Sequence, residues 1–132
     1  VDGLQGNNTN YRTGRWIGFQ AEDLEAMIDM LQPTEVSTLE IRNAVVTGDW
    51  IFDASEILLE SSEDGKTFNR IVSESVKDEH DDHWADISIH SVSFEPVTAR
   101  YYKVTVRPTI MPSWHPGSGS RAYIFVDEIR LD

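Results

Sequence analysis

The chain has 132 residues, no cysteine, and 23 acidic against 11 basic side chains, for a formal charge of −12. These figures exclude a disulfide framework and thiolate chemistry, and a (β/α)₈ barrel, which needs about 250 residues. By charge repulsion they also exclude nucleic acid and anionic membrane as partners. With 39% hydrophobic residues, among them four Trp, four Tyr and five Phe, the composition is that of a single globular domain over residues 1–132.

Residues 1–15 read as a loop, because Gly3, Gly6, Asn7, Asn8, Asn10 and Gly14 favour turns. Residues 15–20 form a short strand that places Trp16 in the core or between sheets. In residues 24–30, Leu24, Ala26, Ile28 and Met30 share one face while Glu25, Met27 and Asp29 share the other. That is the period of a half-buried strand. A helix is the rival, since Leu, Glu, Ala and Met favour it, and Pro33 ends either. Residues 35–46 give the next strand, broken by Gly48, Asp49 and Trp50. Ile57, Leu59 and Ser61 continue the alternation as far as Glu63-Asp64-Gly65-Lys66, where an Asp-Gly pair between β-like runs predicts a hairpin. Phe68, Ile71 and Val72 return from it.

Residues 77–83 carry Lys77, Asp78, Glu79, His80, Asp81, Asp82 and His83. His-x-x-His spacing suits a metal on a helix, but this segment reads as a solvated acidic loop. Trp84 opens a strand and is assigned to packing. Ile87, Ile89, Val92 and Phe94 rebuild apolar structure, and Tyr102, Val104 and Val106 alternate with Lys103 and Thr105. Residues 108–122 are a long loop rich in Pro, Gly and Ser that holds Trp114 and His115. In the last strand, residues 123–131, Ile124 and Val126 keep one phase and Ile129 and Leu131 the other, which marks a β-bulge. The sum is an all-β chain, an antiparallel sandwich or jelly roll of about eight strands.

Several segments together resemble the discoidin-like (coagulation factor 5/8 type C, galactose-binding-like) family. They are Val1-Asp2-Gly3 with Thr9 and Tyr11; the Ser62-Glu63-Asp64-Gly65-Lys66-Thr67-Phe68 turn; Ala99-Arg100-Tyr101-Tyr102-Lys103-Val104; and Val126-Asp127-Glu128-Ile129. Gly14-Arg15-Trp16, Gly48-Asp49-Trp50-Ile51-Phe52 and Pro112-Ser113-Trp114-His115 are similar to the C-terminal module of bacterial chitobiases, the β-N-acetylhexosaminidases of glycoside hydrolase family 20. The resemblance implies an eight-stranded jelly-roll sandwich, a calcium ion near the termini, and ligand loops at one end. It implies a non-catalytic module at the C-terminal end of a larger periplasmic or secreted enzyme, whose catalytic domain lies upstream.

Calcium takes six to eight oxygen ligands. Within this resemblance Asp2 and Glu128 supply carboxylates and Thr9 a hydroxyl and a carbonyl, with Gly6, Asn7 and Asn8 lengthening the Asp2–Thr9 spacing. Sugars lay their C–H faces on Trp or Tyr rings while polar groups fix the hydroxyls. Loop aromatics suit that task better than strand aromatics, so Trp50, Trp114 and His115 are the expected contacts for an N-acetylhexosamine or galactose-type glycan. No Gly-x-Ser-x-Gly elbow, His-Glu-x-x-His helix or phosphate loop is present, and catalysis is not expected. Two rival readings remain. The module packs on its catalytic domain without touching sugar, which buried or widely separated Trp50 and Trp114 rings would favour, or it serves protein adhesion, which an exposed apolar patch without convergent polar groups would support.

Overall fold

A computed structural model describes residues 16–76 and 84–132. Six strands, β1 (Ile17–Gln20), β2 (Leu24–Val46), β3 (Ala54–Ser62), β4 (Asn69–Ser75), β5 (Ala85–Pro108) and β6 (Tyr123–Leu131), form one antiparallel ladder in the order β1-β6-β2-β5-β3-β4. The sole helical element among the described residues is a single 3₁₀ turn, Thr47–Asp49.

The ladder becomes a sandwich because its two central strands bend. β2 and β5 run for 23 and 24 residues, several times a common strand length of about five or six. Pairing between them breaks twice, between Asp29 and Thr34 and between Val36 and Thr38. At the first break Leu31 has φ +68°, and Asp29 Oδ1 accepts the Leu31 N–H at 2.8 Å. Pro33, expected to end the strand, instead lies within a break in the pairing, and the chain continues extended on the other side. One layer then holds β1, β6, the second half of β2 and the first half of β5. The other holds the first half of β2, the second half of β5, β3 and β4. Counted by layer, six strands supply eight strand segments.

Both layers feed one core. Leu39, Ile41, Ile124 and Val126 from the first meet Leu24, Ile57, Leu59, Val104 and Val106 from the second. Tyr102, fully buried, sits at the bend: its hydroxyl lies 2.7 Å from the Thr34 carbonyl and 3.0 Å from that of Val97, and it accepts the Ala99 N–H at 3.1 Å. Trp16 is buried as expected. The phase shift in β6 is a real bulge: Arg42 opposes Glu128 while Asn43 opposes Val126, leaving Asp127 as the extra residue. Its buried carboxylate pairs with Arg42 at 2.9 Å.

The Asp64-Gly65 turn closes the β3–β4 hairpin, through a wider loop than a two-residue turn. Asp64 Oδ1 accepts the N–H groups of Lys66 and Thr67 and the Ser62 hydroxyl, at 2.8 to 2.9 Å, and Gly65 takes φ +75°. These bonds to the ionised form hold the Asp64 carboxyl below its ordinary value. This turn lies at the bend end of the sandwich. The loops after β1, β2 and β5 gather at the opposite end.

Candidate functional site: an aromatic wedge between two loops

The loop after β2 is held from both sides. Val46 and Ile51 exchange backbone hydrogen bonds at 2.9 and 3.2 Å, and the Trp50 N–H donates to the Thr47 carbonyl at 3.2 Å. Beyond it the Trp50 carbonyl accepts from Tyr123 at 2.9 Å, and the Phe52 N–H donates back to Tyr123 at 3.3 Å. The apolar run Ile51-Phe52 explains this anchoring, since both side chains are fully buried. Trp50 itself has φ +67°, a left-handed conformation that is uncommon for a bulky residue. The residue as a whole is 39% exposed.

The loop after β5, for all its Pro, Gly and Ser, is tied to itself. Ala122 donates to Thr109, Met111 to Ser120, Gly119 to Met111, His115 to Pro112 and Ser118 to His115, at 2.9 to 3.1 Å. Met111 and Ala122 pack with Phe52 in a small second core. Gly117 is required by contact: a β-carbon there would lie 2.6 Å from the Met111 Cε and 2.7 Å from the Trp50 ring. The loop thus closes directly against Trp50.

His115 joins the loops. Its Nδ1 accepts the Gly117 N–H at 2.9 Å, so the proton sits on Nε2, which donates to the Thr47 carbonyl at 2.9 Å. The imidazole is 5% exposed and meets Trp50, Trp114 and Phe52 edge to face, at centroid distances of 5.2, 5.6 and 5.2 Å. Trp114 also leans on Phe52, at 5.9 Å, and stands 43% exposed. The structure brings all three expected residues together but divides their tasks. Trp50 and Trp114 present ring surface to solvent. His115, expected among the sugar contacts, lies beneath them with both ring nitrogens engaged by the backbone.

Trp84, assigned to packing from the sequence, belongs to the same end. Its carbonyl accepts the Thr47 N–H at 3.1 Å, and its ring is 39% exposed. The hint was its place beside the charged segment 77–83, which lies outside the described residues. Just behind Phe52, buried Asp53 accepts from the Ala54 N–H at 2.9 Å and lies 2.6 Å from His90 Nε2. Burial raises its pKa, but the bonds from His90, Ser88 and Ala54 together prevail and hold it below its ordinary value.

Of the expected calcium ligands, Asp2 and Thr9 lie outside the described residues. Glu128 is buried at the β6 bulge and lines an apolar groove of about 330 Å³ with Ile17, Phe19, Leu24 and Ile129. It is five residues along β6 from Tyr123, about 17 Å from the aromatic end. Among the described residues no three His, Asp or Glu side chains cluster to hold a metal.

The F5/8 type C domain profile matches residues 1–125. No curated protein matches the sequence. Among solved structures, the C-terminal domain of a chitobiase from Bacteroides fragilis superposes with a TM-score of 0.53 at 19% identity, covering 84% of this chain and 63% of that one. The module CpGH89CBM32-5 from Clostridium perfringens, in complex with GalNAc-β-1,3-galactose, gives 0.58 at 15% identity over 88% of this chain and 73% of that one. A rhamnosidase from Novosphingobium sp. PP1Y gives 0.52 at 22% identity over 82% of this chain, which spans only 8% of the enzyme. At these identities the likeness is one of fold.

Proposed function

The chain belongs to the F5/8 type C domain family, and from that membership we propose that it is a non-catalytic carbohydrate-binding module of a larger glycoside hydrolase. One observation carries the reading: two loops far apart in sequence hold the Trp50 and Trp114 rings exposed against a single buried imidazole. Trp50 and Trp114 take the C–H faces of the sugar, and His115 fixes the rings from below. The ligand is an N-acetylhexosamine or galactose-type glycan and the parent a periplasmic or secreted β-N-acetylhexosaminidase. The resemblance of the Trp50 and Trp114 segments to chitobiase modules supports both.

Titration of the domain with N-acetylglucosamine, galactose and chitobiose, followed by tryptophan fluorescence and sugar-proton NMR, tests this. Millimolar to micromolar binding amounts to about 4–8 kcal/mol, within reach of two stacked rings and a few hydrogen bonds. Removing either ring should weaken it by tenfold or more. A folded domain that answers to no saccharide would make the module a structural spacer.

Calcium is proposed at Asp2, Thr9 and Glu128, an all-oxygen set that suits a hard cation. Since Glu128 is well separated from the indoles, the ion acts on stability and leaves sugar contact to the loops. Calcium should raise the melting temperature, EDTA should lower it, and Glu128→Gln should abolish the difference. A melting temperature indifferent to calcium would remove the ion from the proposal.

A further inference from the structure

Charge at the aromatic end is one-sided. The loop 47–53 contains Asp49 and, buried against His90, Asp53, with no Lys or Arg, and the loop 109–122 contains His115 and Arg121 as its only charged or titratable side chains. The β1–β2 connection adds Glu22 and Asp23. The cations that flank this end are held: Arg121 by Asp23, and Arg107 by Glu56 at 2.5 Å and Asp23 at 3.5 Å.

We infer that the site selects its saccharide by charge, taking glycans with a free amino group most tightly, neutral ones next, and uronate or sulfated ones least. The inference rests on the sugar-binding reading above. Stacking of C–H faces on Trp50 and Trp114 is indifferent to charge and sets the common affinity. An ammonium gains twice over, because exposed indole faces attract cations and the surrounding carboxylates lower its energy at long range. A carboxylate or sulfate finds in these loops a single guanidinium, that of Arg121, already paired with Asp23, and its approach is opposed by a chain of net charge −12.

The test compares tetramers of glucosamine, N-acetylglucosamine and galacturonate, titrated into the domain at about 20 mM and 500 mM salt. Screening shortens from about 20 Å to about 4 Å over that range, so electrostatic preference must shrink. At low salt glucosamine should bind at least tenfold tighter than galacturonate, with N-acetylglucosamine between them, and at high salt the spread should fall to about threefold. Asp49→Lys should narrow the low-salt spread.

An acidic protein also adsorbs polycations without a site, so Trp50→Ala and Trp114→Ala must lose glucosamine binding; retention would overturn the inference. Equal affinities, a preference for galacturonate, or an order unchanged by salt would overturn it while leaving sugar binding intact. Failure of all three tetramers to bind would overturn the sugar-binding reading and this inference with it.

Discussion

Trp50 shows how one residue can be asked for two incompatible things. Its ring is wanted at the surface, and its backbone sits at φ +67°, where Gly is at ease and a side chain is strained. Replacing Trp50 by Ala removes the ring and keeps the strain; replacing it by Gly removes both. Both variants should lose sugar affinity alike, while Trp50→Gly should be the more stable of the two by about 1 kcal/mol in urea unfolding. An Ala variant as stable as the Gly variant would show that the conformation carries no strain. Trp50 and Trp114 were legible as candidates because turn residues surround them: Gly48-Asp49 before one, Pro112-Ser113 before the other. The support role of His115 was not legible, because its partner Thr47 lies 68 positions away and nothing local announces the contact. Trp84 was passed over although it stands beside the charged segment 77–83, because its link to the site is a backbone bond to Thr47 that no sequence spacing signals.

At the scale of the strand, alternation told which residues are β and which face is apolar, and the change of phase in β6 announced a bulge, which the strand register places at Asp127. It could not reveal that residues 24–46 form one strand serving both layers, since Pro33 and the irregular stretch around it look like an end. The bend is held by Tyr102, whose hydroxyl reaches the carbonyls of Thr34 on β2 and Val97 on β5. Burial raises its pKa, so the phenol stays protonated and able to donate. Tyr102→Phe keeps the ring in the core and deletes only the hydroxyl, leaving the Ala99 N–H without its acceptor. That should cost about 1–3 kcal/mol, read as a lower urea midpoint at unchanged slope. An unchanged midpoint would mean that the strands hold the bend without it.

The whole molecule carries a charge of −12, and two opposing effects act on it as pH falls. Protonating exposed carboxylates relieves self-repulsion and favours the compact state. Protonating carboxylates that are hydrogen-bonded in the fold removes those bonds and disfavours it. Asp53 decides between them, because it is buried between His90 and the Ala54 N–H, whereas Asp29 and Asp64 are exposed and screened and Glu56 is only half-buried. Its folded pKa lies below the ordinary value of 3.8. Its contribution is therefore complete above the unfolded pKa and is lost as pH drops through the folded one. The melting temperature should hold or rise slightly from pH 7 toward pH 5 and then fall below about pH 4. Asp53→Asn, which keeps the shape and removes the charge that His90 meets, should melt lower at pH 7, and its deficit should close as the wild type is acidified. A deficit of constant size from pH 7 to pH 3 would show that Asp53 acts through packing alone, and that acid sensitivity resides in the exposed pairs.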